Sequence, residues 1–226
     1  MTKKSSRFLL ALVPALLIAT AAHAGGGSNS SAGSIGNATL DDVTLGGTTS
    51  AFWSDKLAYS GVNPVSGAHG DTSGFANLFS STALGTSAWT LGAKVDKDSS
   101  VEDLLAGNKS DNLSFTWSSA GTTGTWSITN TSNKNVTLDL VSAIHASNSS
   151  TAFLFNDQQI LAGQTLTGNW GVQWVNNGNQ IPKFSNAGLF YRDVQYTAAV
   201  PEPETYAMLL AGLGMMGFMA RRRKAK

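Results

Sequence analysis

Residues suited to chemistry are few in this chain. His69-Gly70-Asp71-Thr72-Ser73 puts a base, an acid and two hydroxyls within five positions. A Ser-His-Asp triad needs its base held in space between acid and nucleophile, and three such types adjacent on a Gly-rich loop do not provide that. No G-x-S-x-G elbow occurs either. His145 falls at the end of a candidate strand and reads as a sheet-face residue. Asp96-Lys97-Asp98-Ser99-Ser100 opens like a calcium loop, but Val101 and Gly107 stand where an EF-hand needs Gly and Glu. Asp41, Asp42 and Asp139 are further carboxylates for a cation, and read more simply as solvated turn residues. Gly212, Gly214 and Gly217 spell G-x-G-x-x-G, without the following βαβ unit and acidic residue that dinucleotide binding requires. The sequence therefore offers no catalytic, cofactor-binding or metal-binding residues, and the chain reads as a non-enzyme.

Aromatic residues carry the remaining chemical signal. Trp53, Trp89, Trp117, Trp126, Trp170 and Trp174 are many for this length. Exposed indoles beside amides are suited to stacking on sugars, and Trp170 and Trp174 lie beside Asn and Gln residues. They are the candidate sugar-binding pair. Trp170, Val172 and Trp174 also alternate onto one strand face, which favours burial in a core.

The elements that must position these residues read as strands. Ala38–Leu45, Ser87–Val95, Asn112–Trp117, Thr123–Thr129, Asn135–Ala146, Thr151–Asn156, Thr165–Val175 and Ala187–Thr197 are rich in β-formers and separated by Gly, Asn and Ser clusters. Alternation is clearest at Leu113/Phe115/Trp117, Trp126/Ile128 and Val136/Leu138/Leu140. One short helix is expected where Ser99-Ser100-Val101-Glu102 fits a capping box and Gly107 a stop. The expected fold is all-β: a single β-sandwich of jelly-roll type over residues 38–199.

The two ends differ from this body. Lys3, Lys4 and Arg7, the apolar run Phe8–Ala22 and the Ala22-His23-Ala24 site have the order of a secretory signal peptide over residues 1–24. A Gly/Ser-rich linker over 25–37 follows. Residues 25–205 hold seven Lys and Arg against fourteen carboxylates, a formal charge of about −7. That balance lacks the clustered cations of a nucleic-acid-binding surface. There is no cysteine, so the core alone must stabilise the domain. Seven Asn-x-Ser/Thr sequons, at Asn29, Asn37, Asn108, Asn112, Asn130, Asn135 and Asn148, follow from a composition rich in Asn, Ser and Thr.

At the C-terminus, over residues 200–226, Val200-Pro201-Glu202-Pro203-Glu204-Thr205 leads into an apolar stretch from Tyr206 to Ala220, closed by Arg221, Arg222, Arg223 and Lys224. The prolines favour an extended, accessible segment. The apolar stretch is expected as a transmembrane helix through Tyr206, Leu209, Leu210, Leu213 and Phe218. Its length is short, roughly 22 Å against a bilayer core of about 30 Å. The basic cluster would stop transfer and remain cytoplasmic.

The fixed order of Pro-Glu-Pro, Gly- and Met-rich helix and basic cluster resembles the PEP-CTERM sorting tail of Gram-negative bacteria. The resemblance implies export by the general secretory route and transient anchoring in the inner membrane. It implies recognition by an exosortase at Pro201, Glu202 and Pro203, and release to the cell surface or extracellular matrix. It further implies an association with exopolysaccharide and biofilm.

Overall fold

The structure, a computed structural model, describes residues 38–46, 51–104, 112–175, 179–199 and 203–224. The expected signal peptide and linker lie outside the described residues, as do Pro201 and Glu202. The body is built from a 3-10 turn, Leu40–Asp42, and eleven strands. These are β1 (Thr44–Gly46), β2 (Ala51–Trp53), β3 (Lys56–Ser60), β4 (Thr90–Val95), β5 (Val101–Asp103) and β6 (Leu113–Ser119). They continue with β7 (Thr123–Asn130), β8 (Lys134–Ala146), β9 (Ser149–Ile160), β10 (Thr165–Gly171) and β11 (Asn186–Ala198). A helix, α1 (Pro203–Lys224), follows.

The strands form two antiparallel sheets. One has the order β2-β1-β10-β7-β6, the other β3-β9-β8-β11-β4-β5. The all-β expectation holds, with more strands than the eight of a jelly roll. Period-two alternation places Leu113, Phe115, Trp117, Trp126, Ile128, Leu166 and Trp170 of the first sheet against Val136, Leu138, Phe153, Phe155 and Leu189 of the second in one buried cluster. The Trp126 and Phe155 rings meet across the sandwich at 5.7 Å.

The six-stranded sheet is buried on its outer face as well. Leu91, Val141, Ala143, Ala152, Leu154 and Phe190 pack there under Phe75 and Phe79 of the segment 61–89. A sheet covered on both faces needs near-continuous apolar strands, which explains the unbroken burial from Leu138 to Ile144 in β8. Three cations tie down the covering segment by its carbonyls: Lys56 Nζ donates to Leu78 at 2.8 Å, Lys94 Nζ to Gly67 at 2.9 Å, and Arg192 Nη2 to Phe79 at 2.9 Å.

The helix expected after Ser99 begins instead as a hairpin. Val101 pairs with Val95 and Asp103 with Ala93. Asp98 accepts hydrogen bonds from the Ser100 N–H and hydroxyl, and Ser99 takes a left-handed φ of 67°. The small polar residues that suggested a helix cap are turn residues here, because the same side chains serve both purposes.

Two glycines let the inner aromatics lie flat. Gly168 faces Trp126 and Gly124 faces Trp170 across the β7/β10 pair. Each indole passes over its glycine to the next strand, Trp126 Nε1 donating to the Thr44 carbonyl and Trp170 Nε1 to the Ser118 carbonyl, both at 2.9 Å. A Cβ at Gly168 would sit 1.7 Å from the Thr44 oxygen, and one at Gly124 2.0 Å from the Ser118 oxygen.

Candidate functional site

Trp170 and Trp174 are 2 % and 0 % exposed. Trp170 stacks on Trp117 at 4.8 Å and lies 5.0 Å from Phe184. Neither indole offers a face for a sugar ring. The alternation of Trp170, Val172 and Trp174 marks burial, and it corrects the sugar-binding reading of the two tryptophans.

Two of the sequence's catalytic candidates, Asp71 and His145, are occupied by structural bonds. The Ser73 hydroxyl, with the Ser73 N–H that donates to Asp71 at 2.9 Å, holds the Asp71 carboxyl below the usual range. His69 is exposed on the same loop. His145 Nδ1 lies 2.7 Å from the Ser150 hydroxyl, which donates to the Val62 carbonyl at 2.6 Å. The serine proton is thus committed to a carbonyl, so the imidazole must donate to the serine oxygen, the reverse of a base beside a nucleophile. Burial pushes the His145 pKa down, against the backbone carbonyls near it.

Of the carboxylates suggested for a cation, Asp41 is exposed, while Asp42 and Asp139 are spoken for. Asp42 accepts the Thr39 N–H at 2.9 Å and its hydroxyl at 3.1 Å, while burial raises its pKa to about 6. Asp139 accepts the Asp157 N–H at 2.9 Å and pairs with Arg192 Nε at 2.9 Å. Among the described residues no group of three or more His, Asp or Glu is placed to hold a metal ion.

Sequence reasoning missed Arg192, which organises the most polar part of the interior. It stands directly opposite Asp139 in the β8/β11 pair. A β-bulge follows it in β11, and another falls between Leu138 and Leu140. Its guanidinium lies 4.0 Å over the Trp89 ring and donates to the carbonyls of Phe79, Leu84 and Ser87. Burial drives the Asp139 pKa up, and the bonds from Asp157 and Arg192 oppose it. Beside this cluster is a shallow pocket of about 280 Å³, lined by Thr72, Asn77, Ser80, Ser87, Trp89 and Arg192 among others. Ser87 donates to Asp193 at 2.5 Å. Together these bonds fix the loop 79–89 against β11. Arg192 could have been flagged as the lone cation that directly follows the apolar run from Ala187 to Tyr191.

The C-terminal element has a different character. α1 begins at Pro203, where a first-turn proline loses no hydrogen bond. It runs through the expected apolar stretch and over the basic cluster to Lys224, so Pro203 is helical rather than extended. Met208, Leu209, Leu210, Leu213, Met215, Met216 and Met219 are 58–75 % exposed. They cover more than half of the helix circumference, and exposed Ala211 and Gly214 lie on the rest, so α1 is no core element of the sandwich. Arg221 is exposed; the side chains of Tyr206, Phe218, Arg222, Arg223 and Lys224 lie outside the described residues. No helix among the described residues is long and apolar enough to cross a membrane.

Residues 199–224 match the family model of the PEP-CTERM protein-sorting motif. The chain carries this motif, and the motif implies exosortase-dependent sorting of an exported protein to the cell surface. Compared with curated proteins and with solved structures, the chain finds no match in either set.

Proposed function

We propose that this protein is a non-enzymatic component of an extracellular polymer layer, delivered there by its C-terminal tail. The observation that carries the reading is α1: an apolar helix exposed on all sides, ending in a basic cluster, inside a recognised sorting motif. In this reading α1 enters the inner membrane during export. Its apolar run from Tyr206 to Ala220 is short for a bilayer, and flanking arginines snorkelling to the cytoplasmic interface cover part of the deficit. A marginal anchor suits a transient one, held until the exosortase acts near Pro201, Glu202 and Pro203. The body supports the non-enzymatic role through its bonds: Asp71, Ser87, Asp139 and Ser150 are all committed to structural partners.

Mass spectrometry of the protein from cells with and without exosortase tests this. The tail is expected to be missing from the surface form only where the enzyme is present. An intact tail on the surface form in both strains overturns the proposal.

A further inference from the structure

The two sheets differ in the chemistry of their strands. Lys56, Lys94, Glu102, Asp103, Lys134, Asp139, Asp157, Arg192 and Asp193 all lie on strands of the six-stranded sheet. The five-stranded sheet has no charged residue in any strand. Its outward positions on β6, β7 and β10 are hydroxyls with one amide, in three aligned rows. Ser114, Thr129 and Thr165 form one row, Thr116, Ser127 and Thr167 the next, and Ser118, Thr125 and Asn169 the third.

None of these nine side chains is buried. Thr116 and Ser127 are joined at 2.7 Å, Ser118 and Thr125 at 2.7 Å, and Thr129 and Thr165 at 2.8 Å. In each pair one hydroxyl donates to the other, and the pair as a whole keeps acceptor capacity; Ser118 Oγ also accepts the Thr125 N–H at 3.3 Å and lies 3.5 Å from the Thr125 carbonyl. The rows repeat about every 6.8 Å along the strands, and the columns are about 4.8 Å apart. The array is held by a rigid sheet and short side chains, so little entropy is lost when it binds.

We propose that this face binds a neutral polysaccharide chain. The inference takes its setting from the proposed role in a polymer layer. A surface of paired donors and acceptors without charge matches a polymer of hydroxyls without charge. A polyanion would meet no cation here and a body of about −7 formal charge. A second copy of the chain would have to bury nine polar side chains without the apolar centre of a stable interface. A planar lattice such as ice does not follow a sheet that twists by about 20–25° per strand, whereas a flexible chain does.

The test is native electrophoresis of the full chain in mild detergent, through gels containing dextran or hydroxyethylcellulose, and separately alginate. A full-length form with Arg221, Arg222, Arg223 and Lys224 changed to Ser, which removes the tail's affinity for a polyanion, is expected to be retarded by a neutral polymer and not by alginate. Thr116→Val/Thr125→Val/Thr167→Val keeps the β-branched shape and removes three hydroxyls, and should weaken retention about tenfold or more. Thr125→Lys/Thr167→Lys should abolish it, while Gln159→Lys on the other sheet should leave it unchanged. Thermal unfolding verifies that each variant is folded. No retardation by either neutral polymer, retardation by alginate alone, retention unaltered in both face variants, or inhibition of ice growth without glycan retention would each overturn the proposal. With the tail's cluster neutralised the gel reads the sheet face, so its failure leaves the processing reading standing.

Discussion

Arg192 is 3 % exposed, and four of its N–H donors reach protein oxygens. Removing it strands Asp139, itself 3 % exposed, as a buried carboxylate. Arg192→Met is therefore expected to cost about 3–5 kcal/mol in urea unfolding. Asp139→Leu in that background should recover part of the loss, since the cost lies in the orphaned charge. The deficit of the single variant should also shrink at low pH: without Arg192 the Asp139 pKa rises further, and protonation relieves the buried charge. The glycines under the indoles make a second residue-scale case. Gly168→Ala forces a methyl against the Thr44 backbone oxygen, and an expected loss of about 3 kcal/mol or more follows from overpacking that neither strand can yield to. Gly61→Ala, where the nearest atom is 3.8 Å away, is the matched control and should leave the unfolding midpoint close to wild type.

Between elements, the 3-10 turn before β1 carries a pH signature. Asp42 titrates near 6 in the fold against 3.8 as a free side chain. Between those values the folded form holds a proton that the unfolded form has released. Stability from this group is thus full below about 3.8 and declines as pH rises towards 6. Asp42→Asn keeps an acceptor for Thr39 and cannot ionise. The stability difference between wild type and variant should shift in the variant's favour from pH 4 to pH 6.5, as measured by thermal unfolding; a flat difference would show that Asp42 is not buried as described. The turn also shows where the sequence was legible. Strand alternation identified β6, β7 and β10 nearly in place, because one face of each is buried and the period is two; β8 showed it only at Val136/Leu138/Leu140, since both its faces are buried further on. Ala38–Leu45 was read as one strand, but Asp42 bonds back to Thr39 and delays β1 to Thr44. β2, β3 and β5 have three to five residues, too few to show a period. The covering segment 61–89 reads as Gly- and Ser-rich loop. Its role depends on Phe75 and Phe79 meeting an outer sheet face and on cations reaching its carbonyls, and both are long-range pairings no local pattern encodes.

For the whole molecule, body and tail obey different solvents. The body satisfies its aromatic and aliphatic residues inside and on one sheet face. α1 leaves seven large apolar side chains more than half exposed to water, at roughly 25 cal/mol per Å² of apolar surface left wet. In the proposed reading lipid covers that surface, which is what the composition and order of the tail lead one to expect. Its measurable consequence is separability. A chain ending at Thr205 loses α1 and should unfold at the same temperature as the full-length protein, because the core residues all belong to the body. The same truncation should move the exported protein from the membrane fraction to the soluble periplasmic fraction in cells lacking exosortase. Neutralising Arg221, Arg222, Arg223 and Lys224 to Ser should give an intermediate result. The apolar run would still enter lipid, but with no charges to hold its end in the cytosol it would be released by alkaline extraction more readily than wild type. If the truncated chain stays with the membrane, the body itself holds the protein there and the division of labour between sandwich and helix fails.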